Sequence, residues 1–434
     1  MTIGILQKPV YLVLASVLCA AGLWTYADRV LIAYQVQDAT AHDRPRGNLS
    51  DLYPRWLGAR ELLRNGRDPY SAEVTSEIQA GYYGRPLDAS RPNDPRDKAG
   101  FAYPVYVVFF LAPTIGVPFP ILQKCFFWLL LAVTLSCTIA WLRVLRWSLP
   151  FWTQISLLAL TFGTIAVMQG LKLQQISLGV AGLIAAAILF LIGGQAVLAG
   201  VLLAIATIKP QLLALLLVWL MLWTLGDWRR RYRLLASFVI SMAILCAASE
   251  WFLPNWIPRF WHAIHDYQDY TGAVSVLGGM LGRPWSSIIE LFTLFGLLAG
   301  CWRERRQGAG SASFVFMTST VLATTILVIP TSAQYNQVLL IPAVLLLVKE
   351  RRLIWERSVM NRVFLLMTAI LIIWPWASST VLAGLSFVLP RGSVERAWAV
   401  PVWTSTQIPV AVAALMLILY YQKTFAASGK PGSS

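Results

Sequence analysis

Charge is the scarcest ingredient of this sequence. Only 13% of its 434 residues are Asp, Glu, Lys or Arg, about half the share of a soluble domain. Too little polar surface exists to cover a water-facing globule. Histidine occurs three times, and the five cysteines (Cys19, Cys125, Cys137, Cys246, Cys301) all lie in or at the ends of apolar runs. That excludes a disulfide framework and shows no metal-ligand spacing. There is no Asp-x-Asp, no phosphate-cradling Gly-rich loop and no internal repeat. Disorder, collagen and coiled coil are excluded as well. What remains is 57% hydrophobic with a mean hydropathy of +0.63. These are the marks of an all-α polytopic membrane protein, because lipid tolerates only structures that satisfy their own backbone.

The formal charge is +15. Its basic residues cluster in short turns between apolar runs: Arg229–Arg233, Arg303–Arg306, and Lys349–Arg352 with Arg357 and Arg362. This reads as positive-inside topology, not as a nucleic-acid groove. Ser16-Val17-Leu18-Cys19 loosely resembles a lipobox, but the bulky Leu18 and the continuing apolar run make 9–33 a retained first membrane helix.

A pass needs about 20 apolar residues. With the N-terminus inside, passes are expected at 9–33, 102–121, 125–142, 151–170, 176–192, 195–226, 234–252, 285–301, 312–329, 337–348, 363–379 and 403–421. That makes about twelve. The run 195–226 would be about 48 Å long as one helix, and Lys209-Pro210 interrupts it, so it reads as one broken pass with a first half that could be re-entrant. In this scheme Arg143 and Arg146 fall outside, the one local breach of the charge rule. Several of the 19 tryptophans, among them Trp251, Trp261 and Trp403, fall near helix ends as an interfacial belt would. The expected domain is a single unit over 1–425, followed by a disordered tail at 426–434 (AASGKPGSS).

Residues 36–100 form a long first outer loop with ten basic and ten acidic residues. In it, Leu52, Trp56, Ala59 and Leu63 recur at helical spacing, with Gly66 as C-cap. An amphipathic helix lying on the outer membrane surface is expected. Asp51 opens it, either as a simple N-cap or as a carboxylate held for general-base work; the two roles can coexist.

The order of motifs resembles membrane glycosyltransferase family 87 of the GT-C superfamily. The carriers are Asp51, Ala59-Arg60, Asn65-Gly66-x-Asp68-Pro69-Tyr70, Phe101-Ala102-Tyr103-Pro104, Leu173-Gln174-Gln175-Ile176-Ser177-Leu178, Ala199-Gly200 and Ile208-Lys209-Pro210. They span most of 45–345. One departure stands out. Where the family often carries Ser-Pro-x-Ser-Trp-x-His, this chain reads Ile329-Pro330-Thr331-Ser332-Ala333-Gln334-Tyr335-Asn336-Gln337. Tyr335 takes the His position, so that role falls to Tyr335, Asn336 or Gln337, or is absent.

The resemblance implies a GT-C-like bundle in the cell membrane and an inverting transferase, using a polyprenyl-phosphate sugar, mannose first, and a lipid or glycan acceptor on the outer face. No cofactor or metal is expected. Such chemistry needs a base for the acceptor hydroxyl and cations for the departing phosphate. Asp51 is the candidate base. Arg60, Arg64 and Lys209, with Tyr335 and Gln337, are the candidates for donor phosphate; Tyr103, Gln174 and Gln175 are those for sugar or acceptor. Each has a plainer reading: snorkelling for Lys209, anionic lipid headgroups for Arg60 and Arg64, helix–helix hydrogen bonds for Tyr103 and the glutamines. The alternatives are a lipid-linked-sugar flippase or transporter and, third, an oligosaccharide polymerase or ligase.

Overall fold

The computed structural model describes residues 9–47, 50–88, 90–272, 274–330 and 333–428. Among these it is all helix, with no strand. Six helices are long and apolar enough to cross a membrane: Pro9–Ala41, Phe119–Val144, Trp228–Phe252, Trp285–Glu304, Val359–Leu385 and Arg391–Gln422. The pair Phe151–Phe162 and Ile165–Lys172, bent by 58°, makes a seventh if taken as one span. Five shorter apolar helices lie among them: Ile176–Ile192, Ala196–Ala206, Pro210–Gly226, Ala312–Val328 and Gln334–Lys349. The chain is an integral membrane protein. Twelve full-length passes do not appear; several of the expected ones are these shorter helices. Thr331, Ser332 and the tail from residue 429 lie outside the described residues, whereas 426–428 end the helix Ile408–Ser428.

Two expectations about the passes are corrected. The run 102–121 is no spanning helix. It holds only the short helix Val107–Leu111 and a 3-10 turn at Ala112–Thr114, and the next span begins at Phe119. Prolines at 104, 113, 118 and 120 supply no N–H and punctuate the segment. The run 195–226 is two helices, not one. It folds back at residues 207–209, and Ala196–Ala206 packs between Ile176–Ile192 and Trp228–Phe252. The approach is close: a Cβ on Gly200 would fall 2.5 Å from the Leu234 carbonyl oxygen and 2.9 Å from the Phe238 nitrogen.

One pass lost and one gained restores the parity downstream but moves Arg143 and Arg146. They now join the basic clusters at one end of the bundle. There Lys349 Nζ donates to the Leu145 carbonyl at 2.7 Å, and Arg146 lies against Gly310. The buried Arg231 donates to the carbonyls of Trp223, Arg305, Arg306 and Gln307 at 2.6–3.1 Å, with its guanidinium 4.0 Å from the Trp223 ring centroid. One charged fork thus satisfies four terminal carbonyls from two elements.

The opposite end carries the first loop. The expected helix is present at Leu52–Asn65, and Gly66 ends it at φ 65 with bonds from Gly66 N to Leu62 O and from Arg67 N to Glu61 O, a left-handed cap. Its apolar face does not rest on lipid. Leu52, Trp56 and Ala59 are buried and Leu63 half-buried, in a core shared with Val74, Ile78, Phe101, Val107 and Phe119. The segment 101–119, which does not cross the bundle, supplies the cover. Helix Trp256–Thr271 is tied to this loop by Arg259–Asp68 at 2.6 Å and Lys98–Asp266 at 3.7 Å.

Candidate active site

Three chain reversals converge beneath the first loop. At 173–175 the chain leaves the helix Ile165–Lys172 and enters Ile176–Ile192, with Gln174 at φ 45. At 207–209 it turns into Pro210–Gly226. The third separates Ala312–Val328 from the 3-10 segment Gln334–Leu340 and brings Pro330, Tyr335 and Asn336 to the same place. Each reversal sets polar side chains at the inner end of an apolar helix. Together with 51–55, 97–104 and the helix Trp256–Thr271 they enclose a cavity of about 280 Å³.

Asp51 occupies the N-cap position of Leu52–Asn65, yet its carboxylate makes no cap bond. Oδ1 instead accepts from the Tyr82 hydroxyl at 3.2 Å, and Oδ2 accepts from Gln175 Nε2. Its backbone N–H donates to Leu173 O at 3.1 Å, which stitches the loop to the reversal at 173–175. The side chain is therefore held for the cavity rather than for the helix.

Lys209 is buried, 6% exposed, at the cavity floor. Its Nζ donates to Ser177 Oγ at 2.5 Å and to Gln175 Oε1 at 3.3 Å, and stands 4.7 Å from the Tyr335 ring centroid. Ser177 Oγ passes the chain on to Asn336 Oδ1 at 2.8 Å. Gln175 thus bridges carboxylate and ammonium with its two ends. That pattern also fixes which end of the amide is which, since a flipped amide would face Lys209 with a donor.

Arg55 follows Asp51 by one helical turn and lines the same cavity. Its guanidinium lies 4.3 Å from the Tyr103 ring centroid, and its Nε is buried with no hydrogen-bond partner. Burial opposes its charge, but Tyr103 and Asp51 outweigh that and hold its pKa above the ordinary value. Tyr103 responds in kind. Burial pushes its phenol up, while Arg55 and Lys209 bring the net value below the usual one. Two cations thus bear on one partly enclosed space, and an anion entering it would meet a fork and a point charge.

Of the residues singled out from sequence, Asp51, Tyr103, Gln175, Lys209 and Tyr335 line this cavity. The others do not. Arg60 pairs with Glu61 at 3.3 Å and leans over the Trp56 ring. Arg64 is exposed on the far side of the helix. Gln337 donates to the Ser405 carbonyl at 3.0 Å. Gln174 is buried against Gln123, accepting its amide at 3.2 Å. Sequence reasoning missed Arg55, Tyr82, Asp97, Tyr267 and Tyr270. For Arg55 a signal existed: four residues after Asp51 lies on the same face of a helix, whereas Arg60, nine residues on, lies opposite.

Comparison with known proteins gives one match. The model of glycosyltransferase family 87 matches residues 101–375, more than half of the chain. That stretch includes Tyr103, Gln175, Lys209 and Tyr335; Asp51 and Arg55 precede it. No curated protein and no solved structure matches.

Proposed function

The chain belongs to glycosyltransferase family 87, and on that premise we propose that it transfers a sugar, mannose first, from a polyprenyl-phosphate donor to a lipid or glycan hydroxyl. Asp51 is the base. The donor phosphate sits against Arg55 and Lys209, with Tyr335 and Asn336 beside the ammonium. The acceptor oxygen attacks the anomeric carbon from the face opposite the phosphate. As that C–O bond forms, the bond to the phosphate oxygen breaks, and its electron pair leaves with the polyprenyl phosphate. The acceptor proton goes to Asp51. Fixed cations meet the charge that develops on the leaving group. A single displacement inverts the anomeric configuration.

One observation carries this reading: a carboxylate anchored by Tyr82 and Gln175 opens on the same cavity as two cations. The basic clusters gather at the other end of the bundle, which the charge rule assigns to the cytoplasm. The cavity then faces away from the cytoplasm, in the cell membrane.

Asp51→Asn should lower transfer by about 10²–10⁴-fold, the usual contribution of a general base, in liposomes supplied with polyprenyl-phosphate mannose. Undiminished transfer would remove Asp51 from the mechanism. Glycolipids of a deletion strain, analysed by mass spectrometry, should be truncated. Complete glycolipid stranded on the wrong leaflet would instead identify a flippase.

A further inference from the structure

The cavity is not uniform in charge. Its floor holds Lys209 and the Ser177–Asn336 chain. Its rim holds a second carboxylate, Asp97, with the phenols Tyr82, Tyr267 and Tyr270 and the amide Gln268. Asp51 and Arg55 lie between, within electrostatic reach of both ends.

Asp97 is held with care for a loop residue. Its Oδ1 accepts from Ala99 N at 2.8 Å. Its own carbonyl accepts from the Tyr83 hydroxyl at 2.7 Å. The next carbonyl, that of Lys98, accepts from Gln79 Nε2 at 3.1 Å. Ala99 completes the turn at φ 50, a left-handed conformation costly for any residue with a Cβ. Tyr270 shares the Asp97 carboxylate from the helix across the mouth. Surrounding protein and the nearby Asp51 charge raise this carboxyl above the usual range. An anionic group brought to the rim would meet that carboxyl and Asp51 together.

Resting on the reading of Asp51 as base, we infer that Asp97, with Tyr270 and Gln268, binds the acceptor, and that the acceptor end is an uncharged polyol such as a sugar. A carboxylate accepts from vicinal hydroxyls, and phenol rings offer both apolar faces and hydroxyls to a sugar ring. A simple lipid alcohol has one hydroxyl and leaves these groups unused. A phosphorylated end is repelled.

The test uses the full-length protein in liposomes with polyprenyl-phosphate mannose and two acceptor probes, octyl mannoside and octyl mannoside 6-phosphate. Asp97→Asn, which keeps an acceptor for Ala99 N, should raise KM for octyl mannoside about tenfold or more. KM for the donor and kcat should change little. Tyr270→Phe, which removes one hydroxyl, should shift the same constant by a smaller factor. The phosphorylated probe should be the poorer acceptor. An unchanged acceptor KM in both variants, an equal rise in donor KM, or equal use of the two probes would overturn the assignment. Binding of octyl mannoside to Asp51→Asn protein, with no donor present, separates the two readings. It should weaken when Asp97→Asn is added, even if Asp51 proves not to be the base.

Discussion

A guanidinium presents a planar fork and a lysine only a point charge, so the two cations of the cavity answer to different tests. Arg55→Lys keeps the charge and loses the fork. It should raise donor KM by about tenfold with little change in kcat, measured at fixed acceptor. Lys209→Ala should weaken donor use and also free Gln175, so both KM and kcat should move. Glu61 tests the frame beneath them. Its carboxylate is buried and takes bonds from Asn65 at 2.7 Å and from Arg67 at 3.1 Å. Burial raises its pKa, but Asn65 and then Arg60 and Arg67 outweigh this and hold it below the usual range. Its contribution is therefore complete above the ordinary glutamate pKa and is lost as pH falls through the lowered folded value. Thermal unfolding followed down that range should show a slope that Glu61→Gln flattens, and Glu61→Gln should cost about 1–2 kcal/mol at neutral pH. At this scale the sequence reveals residue types better than partners. Asp51, Gln175 and Lys209 stand out as polar groups in or beside apolar runs. Their bridge through the two ends of one amide depends on reversals far apart in the chain. Arg60 and Arg64 were attractive as a pair, yet they point away from Asp51.

Helices were legible where apolar runs were long and free of proline beyond the first turn, as at Phe119–Val144 and Trp228–Phe252. They were misjudged where proline and a turn divided a run of suitable length. The stretch 102–121 has the hydropathy of a pass, but four prolines break its ladder, and it serves as the bed of the first-loop helix. At 195–226 the opposite error arose, because two short helices read as one kinked one. Their hairpin explains Gly200. A side chain there must displace the Trp228–Phe252 backbone, so Gly200→Leu should destabilise by about 1–3 kcal/mol, as overpacking does. Detergent thermal unfolding reads this directly. Gln174, at φ 45, makes a complementary case. Gln174→Gly relieves the strain and should be tolerated better than Gln174→Val, in the same assay.

At the scale of the molecule, the two ends of the bundle differ in kind. One gathers the arginines and lysines of four turns, the other the cavity. The sequence shows the basic turns, but a miscounted pair of passes sent Arg143 and Arg146 to the wrong side. Single cysteines at Ser148 and Arg229 should therefore react with a membrane-impermeant maleimide from the same face, and one at Asp88 from the other. This holds in a background without native cysteines. Helix length carries a last consequence. Ile176–Ile192 and Pro210–Gly226, of 17 residues each, are about 25 Å long, whereas Phe119–Val144 and Trp228–Phe252, of 26 and 25 residues, reach about 37–39 Å. The reversals at the inner ends of the shorter pair thus form a sunken floor: Gln174 meets Gln123, one turn inside the Phe119 tip, and Thr207 meets Met242, ten residues inside the Phe252 tip. Under the proposed reaction, a prenyl chain docked there would keep its isoprene units in oil while its head group dips into a well shielded from bulk solvent. Such a well would starve the reaction that competes with the proposed transfer, futile hydrolysis of the activated sugar, of its nucleophile.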